Sequence, residues 1–240
     1  MGKTVAILQS NYIPWKGYFD LINMVDEFIL YDDAQYTRRD WRNRNKIMTR
    51  NGVEWLTIPV EVKGKYHQAI KDTRISEPDW NKRHWATLLH TYGKVRYFSE
   101  YRSLFEPLYL ECAEERLSRI NHRFLVAICN LLGVRTRISW SMDYTLVEGR
   151  SERLLSICQQ AGATRYISGP AARAYLDEEL FRRAQVEVEW MDYSGYPEYQ
   201  QLHEPFEHGV SILDLLFHQG PQATAFMKSF RSQAQAARSA

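Results

Sequence analysis

Short apolar runs alternate with polar loops and helix-length segments near the amino terminus of the chain. An apolar run over residues 4–8 is followed by a polar loop (9–17), a helix-length segment (18–24) and a second apolar run (28–31). Apolar runs of this length, separated by a segment of helical length, predict a β-loop-α-β unit. The first two strands are therefore expected to lie parallel.

The same alternation returns in the last third of the chain. The pattern predicts strands over residues 136–141, 165–168 and 186–190, with helices over 151–160 and 171–183 between them. Strands that alternate with helices indicate a parallel sheet covered by helices on both faces. We therefore predict a three-layer α/β fold with a mainly parallel sheet, Rossmann-like or HUP-like.

The middle of the chain shows a different pattern. Asn51-Gly52 predicts a hairpin turn ahead of a strand over residues 54–60. Amphipathic segments over 80–92 and 117–132 predict a helical insertion at about 78–133. Two more helices are expected over 211–217 and 222–230. We predict one α/β domain over residues 1–230 and a flexible tail over 231–240.

Composition narrows the class of protein. The chain has 240 residues, 45% hydrophobic, with a formal net charge of +2, which gives no electrostatic reason to expect nucleic acid as a partner. No apolar run approaches the length of a membrane span, and no signal peptide is recognised. Cys112, Cys129 and Cys158 form no C-x-x-C pair, so neither disulfides nor a thiolate zinc site is expected. We expect a cytoplasmic protein.

Polar side chains follow the first two predicted strands. In open α/β sheets, ligands bind at the carboxyl ends of the strands, so the loop after strand one and the Asp pair after strand two should face one crevice. We expect Lys16 to bind a phosphate, to pair with Asp32 or Asp33, or only to be solvated. One Asp is expected to act as a base, hydroxyl acceptor or metal ligand, although Asp also favours turns. Further residues expected to build this crevice are Gln9, Asn11, Trp15, Tyr18, Gln35 and Tyr36.

Two other segments are candidates for anion binding. The basic segment Arg42, Asn43, Arg44 and Asn45 offers planar donors that suit phosphate or carboxylate, or it forms a solvated hairpin face. Ser168 and Gly169 lie between a predicted strand and a helix, where free N–H groups hold anions, or where an ordinary turn caps the helix. The seven histidines show no metal-ligand spacing, so no metal site is predicted.

Five sequence blocks together carry a resemblance to a known family. In chain order they are QSNYIPWKGYFDLI, DDAQYTRRDWRNRNKI, WLTIPV, YISGPAARAYLD and SILDLLFHQG. They resemble the WbqC-like protein family over almost the whole chain. Proteins of this family are often encoded among surface-polysaccharide and O-antigen functions. The usual opening of the family motif is Gln-Pro, whereas here Ser10 follows Gln9, which removes a rigid backbone position.

The resemblance implies an enzyme that acts on an activated sugar. We expect transfer of an acyl, aminoacyl or similar group to that sugar, or processing of a nucleotide-linked precursor. Partners would be a nucleotide- or sugar-linked small molecule and other polysaccharide biosynthesis enzymes; the cofactor is left unknown. One alternative is a HIGH-like nucleotidyltransferase, with Pro14 to Tyr18 in place of the histidine motif. The other is a non-catalytic scaffold that binds sugars or nucleotides.

Overall fold

A five-stranded parallel sheet forms the centre of the protein. The computed structural model describes residues 2–230, so the tail predicted over 231–240 lies outside the described residues. The strands are β1 (Lys3–Leu8), β2 (Glu27–Leu30), β5 (Arg137–Trp140), β6 (Ala163–Ser168) and β7 (Glu187–Trp190). They lie in the order β5-β2-β1-β6-β7, and each neighbouring pair is parallel. The predicted three-layer α/β class is confirmed.

Alternate residues of the strands point to opposite faces of the sheet. Ala6, Phe28 and Leu30 belong to one core cluster, whereas Ile7 and Ile29 belong to the other. Successive side chains of a strand alternate in direction, so both faces must be covered for these residues to be buried. This explains why residues 5–8 of β1 and residues 28–30 of β2 are continuous apolar runs.

Helices from different parts of the chain cover the two faces. The first face carries α1 (Lys16–Asn23) and the predicted insertion, which contains α2 (Trp80–Tyr92), α3 (Phe98–Leu110) and α4 (Leu117–Leu132), together with α7 (Ile212–Gln219). The second face carries α5 (Arg150–Gln160) and α6 (Glu178–Arg183). A two-stranded hairpin, β3 (Arg44–Thr49) and β4 (Gly52–Thr57), lies apart from the main sheet.

Two predicted helices differ in the structure. The helix predicted over 171–183 is divided into a 3-10 helix, Pro170–Ala174, and α6, because the Asp177 side chain accepts a hydrogen bond from the Leu180 N–H and so begins a new helix. The helix predicted over 222–230 is divided as well, into a 3-10 helix over Gly220–Phe226 and helical backbone that resumes over residues 228–230. Within residues 2–230, no helix combines the length and apolar character that a membrane span requires.

The order of the strands reverses direction beside β1, and this reversal is a topological switch point. From β1 the chain proceeds to β2 and β5 on one side, then returns to β6 and β7 on the other. The loops after β1 and β6 therefore diverge and leave a crevice at the carboxyl edge of the sheet, where ligands bind in open α/β sheets.

Candidate functional site

A crevice opens where β1 and β6 diverge. Its volume is about 410 Å³. We call it the switch-point crevice; its polar and aromatic lining comprises Gln9, Tyr31, Arg42, Arg150, Tyr166, Ser168, Gly169 and Tyr175. Four of the predicted binding residues, Gln9, Arg42, Ser168 and Gly169, are thus brought together here.

The switch-point crevice is positively charged. Arg42 and Arg150 line it, and among residues 2–230 no Asp or Glu side chain does. Arg150 is the first residue of α5, lies 5.9 Å from the ring centre of Tyr175 and is exposed. The amino end of α5 adds a partial positive charge at the same place. The crevice is therefore suited to an anionic group.

The Arg42 guanidinium connects this crevice to the loop after β1. One of its Nη atoms donates a hydrogen bond to the Asn11 side-chain oxygen, and the other lies 3.5 Å from an Asp40 carboxylate oxygen. The Arg42 Nε is buried without a partner in the described residues. Arg42 therefore lies between the crevice and the loop, with only part of its hydrogen-bonding capacity used.

A second cavity lies on the other side of Asn11. Its volume is about 500 Å³. We call it the aromatic pocket; its side-chain lining comprises Asn11, Pro14, Trp15, Trp41, Asn45, Tyr193, Ser194, Tyr196 and His208. The Trp15 ring centre lies 5.2 Å from that of Tyr193 and 5.5 Å from that of Tyr196, with the rings inclined in both pairs. The predicted residues Asn11, Trp15 and Asn45 therefore face this pocket and not the switch-point crevice.

The loop between the two cavities has a strained backbone. Ile13 adopts φ 37°, in the left-handed region that β-branched residues rarely occupy. The Asn45 side-chain amide donates to the carbonyl oxygens of Tyr12 and Ile13, both at 3.0 Å. Such strain persists only where the surrounding structure holds it, and it is concentrated at functional sites. Asn45 thus holds the loop in place.

Lys16 is enclosed by aromatic rings. Its ammonium donates to the Pro197 carbonyl at 2.9 Å and lies 5.3 to 5.6 Å from the ring centres of Tyr196, Tyr199 and Phe206. Burial lowers the pKa of Lys16 to about 8. Within residues 2–230, no ion pair joins Lys16 to Asp32 or Asp33. The side chain connects α1 to the loop at Pro197.

Asp32 is buried beneath the loop after β1. One carboxylate oxygen accepts the Ser10 N–H at 2.8 Å, and burial raises the pKa of this carboxyl although that hydrogen bond opposes the shift. A proline at position 10, as in the usual family motif, would have no N–H to donate. The departure at Ser10 therefore creates a bond between the loop and Asp32.

Asp33 has different partners from Asp32. It forms an ion pair with Lys71 and accepts the Ser141 hydroxyl at 2.7 Å. The pair Asp32-Asp33 thus divides as the alternation of a strand requires. Neither carboxylate lines the switch-point crevice or the aromatic pocket.

The other predicted binding residues make internal contacts. The Tyr18 hydroxyl donates to the Gln9 carbonyl at 2.8 Å, and the Asn43 amide donates to the Ile58 carbonyl at 2.8 Å. The Arg44 guanidinium lies over the Trp55 ring, on the hairpin. Gln35 and Tyr36 line a third cavity, which is separate from both described above.

Several lining residues were missed by sequence reasoning. Arg150 and Tyr31 lie outside the quoted sequence blocks, and Tyr175 lies within one of them with nothing to distinguish it from a core aromatic residue. Tyr193 and Tyr196 follow the last strand of the sheet. Their position in the pattern was the available signal, since Tyr31 ends one predicted strand and Tyr193 comes shortly after another. Among the described residues, no group of three or more His, Cys, Asp or Glu side chains is placed to hold a metal ion.

Comparison with known proteins agrees with the sequence resemblance. The "Uncharacterized protein Rv1507c" of Mycobacterium tuberculosis (strain ATCC 25618 / H37Rv) is 53% identical over 229 residues, which cover 95% of this chain and 99% of the relative. No solved structure matches the chain significantly. The profile of the WbqC-like protein family matches residues 9–226. The chain therefore belongs to the WbqC-like protein family.

Proposed function

We propose that this protein is an enzyme of cell-surface polysaccharide biosynthesis that binds a nucleotide- or phosphate-linked precursor in the switch-point crevice. It would transfer an acyl, aminoacyl or similar group to an activated sugar, or process the precursor itself. The polysaccharide context is drawn from membership of the WbqC-like family. The observation that carries the binding proposal is the pair of arginines, Arg42 and Arg150, in a crevice whose described lining has no carboxylate.

An anionic ligand would accept hydrogen bonds from arginine groups that lack a full set of acceptors in the described part of the protein. Arginine guanidinium groups bind phosphate through paired hydrogen bonds. Arg150 forms no salt bridge with a carboxylate within residues 2–230, and the Arg42 Nε is unpaired there. A phosphate between them would also lie near the positive end of α5.

The crevice accounts for recognition and not for proton transfer. No imidazole, amine or carboxylate side chain lines it in the part of the chain that the structure describes. Lys16, Asp32 and Asp33, predicted as the reactive groups, are bonded to other parts of the protein. A general base, if the reaction needs one, would therefore come from beside the crevice; His208 lines the adjoining aromatic pocket.

The nucleotidyltransferase alternative has less support from the geometry. That alternative requires a solvent-accessible Lys16 ammonium at the start of α1. In the structure the ammonium is enclosed by aromatic rings and donates a hydrogen bond to the Pro197 carbonyl. The scaffold alternative predicts binding in the same crevice without turnover.

Ligand binding to the purified protein tests the proposal. We would use isothermal titration with nucleoside triphosphates, nucleotide sugars and acyl-CoAs, each with and without Mg²⁺. Arg150→Gln and Arg42→Gln should each weaken binding of the favoured class about ten-fold or more, since each removes a charged hydrogen-bond donor. Arg96→Gln, an exposed arginine in the helical insertion, is the matched control and should leave affinity unchanged.

Three results would count against the proposal. Failure of every phosphate-bearing ligand to bind would remove its basis. Binding that both crevice variants leave unaltered would place the ligand elsewhere. Binding without turnover of any sugar substrate offered would support the scaffold alternative instead.

A further inference from the structure

The aromatic pocket differs from the switch-point crevice in charge. Its side-chain lining is made of two tryptophans, two tyrosines, two asparagines, a serine, a proline and one histidine. No Asp, Glu, Lys or Arg side chain of residues 2–230 is part of the lining. Burial and the nearby Lys16 charge lower the pKa of the His208 imidazole, which keeps it neutral near neutral pH. The lining itself therefore presents no formal charge and suits an uncharged ligand, although the Lys16 and Lys46 ammonium groups lie 5.3 and 5.9 Å from the ring centres of Tyr196 and Trp41.

The ring arrangement favours a saturated ring over a flat one. Trp15 is inclined by 62° to Tyr193 and by 58° to Tyr196. In these two pairs the rings are inclined, so neither pair forms the parallel slot in which a planar base stacks between two rings. A pyranose has an apolar face of C–H groups for one aromatic ring and hydroxyl groups at its edge for amide and imidazole partners.

The wall of the pocket is held in position without a ligand. Lys228 donates to the carbonyl oxygens of Asp192 and Ser194, both at 2.9 Å, and Lys16 donates to that of Pro197. These bonds fix the segment that carries Tyr193 and Tyr196 on both sides. A preformed pocket binds a small ligand with little cost of ordering its own loop.

The pocket and the crevice share one polar contact. Asn11 lines the pocket, and its side-chain oxygen accepts a hydrogen bond from Arg42, which lines the crevice. We propose that the aromatic pocket is the subsite for the neutral sugar ring of the acceptor, next to the phosphate-bearing ligand. The sugar's role as acceptor rests on the proposed function, whereas its binding in this pocket does not.

Titration with uncharged glycosides tests the subsite. The probes are the methyl glycosides of glucose, galactose, mannose and N-acetylglucosamine, with intrinsic tryptophan fluorescence and isothermal titration as measurements. Trp41 is 37% exposed, so Trp41→Ala should fold, and it should weaken glycoside binding about ten-fold. Trp41→Tyr keeps a ring and should retain most of the affinity.

Two controls separate this subsite from the crevice. Tyr66→Ala removes an aromatic ring that is 76% exposed and far from the lining, and it should not change glycoside affinity. Arg150→Gln should also leave glycoside affinity unchanged, because Arg150 lines only the crevice. Thermal unfolding of each variant checks that its fold is intact.

The outcomes distinguish the two proposals. If nucleotide-linked ligands bind through Arg150 but no glycoside binds, the sugar subsite is overturned and the proposed function stands. If glycosides bind through Trp41 but no phosphate-bearing ligand binds, the subsite stands and the proposed function fails. If adenosine binds through Trp41 more tightly than every glycoside, the pocket is a base site and the inference is overturned.

Discussion

At the scale of single residues, the main finding is the position of Lys16. Its position in a polar loop predicted an ammonium group that a ligand could reach. In the structure three aromatic rings and one carbonyl oxygen surround that ammonium. The carbonyl belongs to Pro197, 181 residues away in the chain. No local pattern contains information about such a partner. Removal of Lys16 should therefore alter ligand binding in the aromatic pocket more than phosphate binding in the switch-point crevice.

The depressed pKa of Lys16 predicts a pH effect on stability. The folded chain loses this proton near pH 8, whereas the unfolded chain retains it up to about pH 10.5. Within that window the unfolded state binds more protons, so the free energy of unfolding of the wild type should rise with pH relative to Lys16→Met. We expect a gain of about 2 kcal/mol between about pH 7 and pH 10.

Urea unfolding of both proteins across this range measures the effect. The tyrosines and all other groups are common to both proteins, so the difference isolates Lys16. Two parallel stability curves would show that Lys16 is solvated, as one of the sequence-based alternatives held.

The sequence predicted those residues of the candidate site that lie at the carboxyl ends of strands. Gln9, Ser168 and Gly169 follow apolar strands directly, and the ends of neighbouring parallel strands must lie together. Arg150 could not be found in this way, since a surface arginine at the start of a helix resembles any other. Asp32 was correctly placed at the end of β2, but no local pattern indicates its complete burial beneath the loop after β1.

At the scale of secondary structure, Asp177 explains the break in the predicted helix over 171–183. Residues 171–183 contain no Gly or Pro, so their composition permits one continuous helix. The Asp177 side chain accepts the Leu180 N–H at 3.1 Å, which satisfies one of the free donors at a new helix start. The central strands β1 and β2, by contrast, were predicted closely, because burial on both faces makes most of their residues apolar.

Loss of this cap should be measurable. Asp177→Ala should lower the free energy of unfolding by about 1 kcal/mol, whereas Asp177→Asn, which retains a capping oxygen, should cost much less. Chemical denaturation of the three proteins provides the comparison. Equal losses for the two variants would mean that charge, and not the capping bond, is what matters at this position.

At the scale of the whole molecule, Asp214 joins segments that are distant in sequence. Its buried carboxylate on α7 accepts the hydroxyls of Tyr92 and Tyr199, both at 2.8 Å, and the Gln201 amide at 3.1 Å. Tyr92 also accepts the Met48 N–H of the hairpin. An Asp in an apolar run either faces outward or is buried with partners, and Asp214 is buried with partners.

Replacement of Asp214 should destabilise the entire fold. Asp214→Ala leaves three buried donors without their acceptor, and we expect a loss of about 3 kcal/mol or more in the free energy of unfolding. Asp79→Ala removes an exposed carboxylate at the start of α2 and should change stability by less than about 0.5 kcal/mol. Thermal and urea unfolding of both variants would check this, and equal stabilities would refute it.

The hydrogen bond between Asn11 and Arg42 would couple the binding of ligands in the two cavities. A phosphate that draws the Arg42 guanidinium toward itself would weaken the hydrogen bond from Arg42 to the Asn11 side-chain oxygen. Asn11 lines the aromatic pocket, so the hydrogen-bonding capacity of that pocket would change as well. By linkage, whatever factor the first ligand imposes on the affinity of the second, the second imposes on the first. A ligand bound in one cavity would thus change the affinity of the other cavity through this one hydrogen bond.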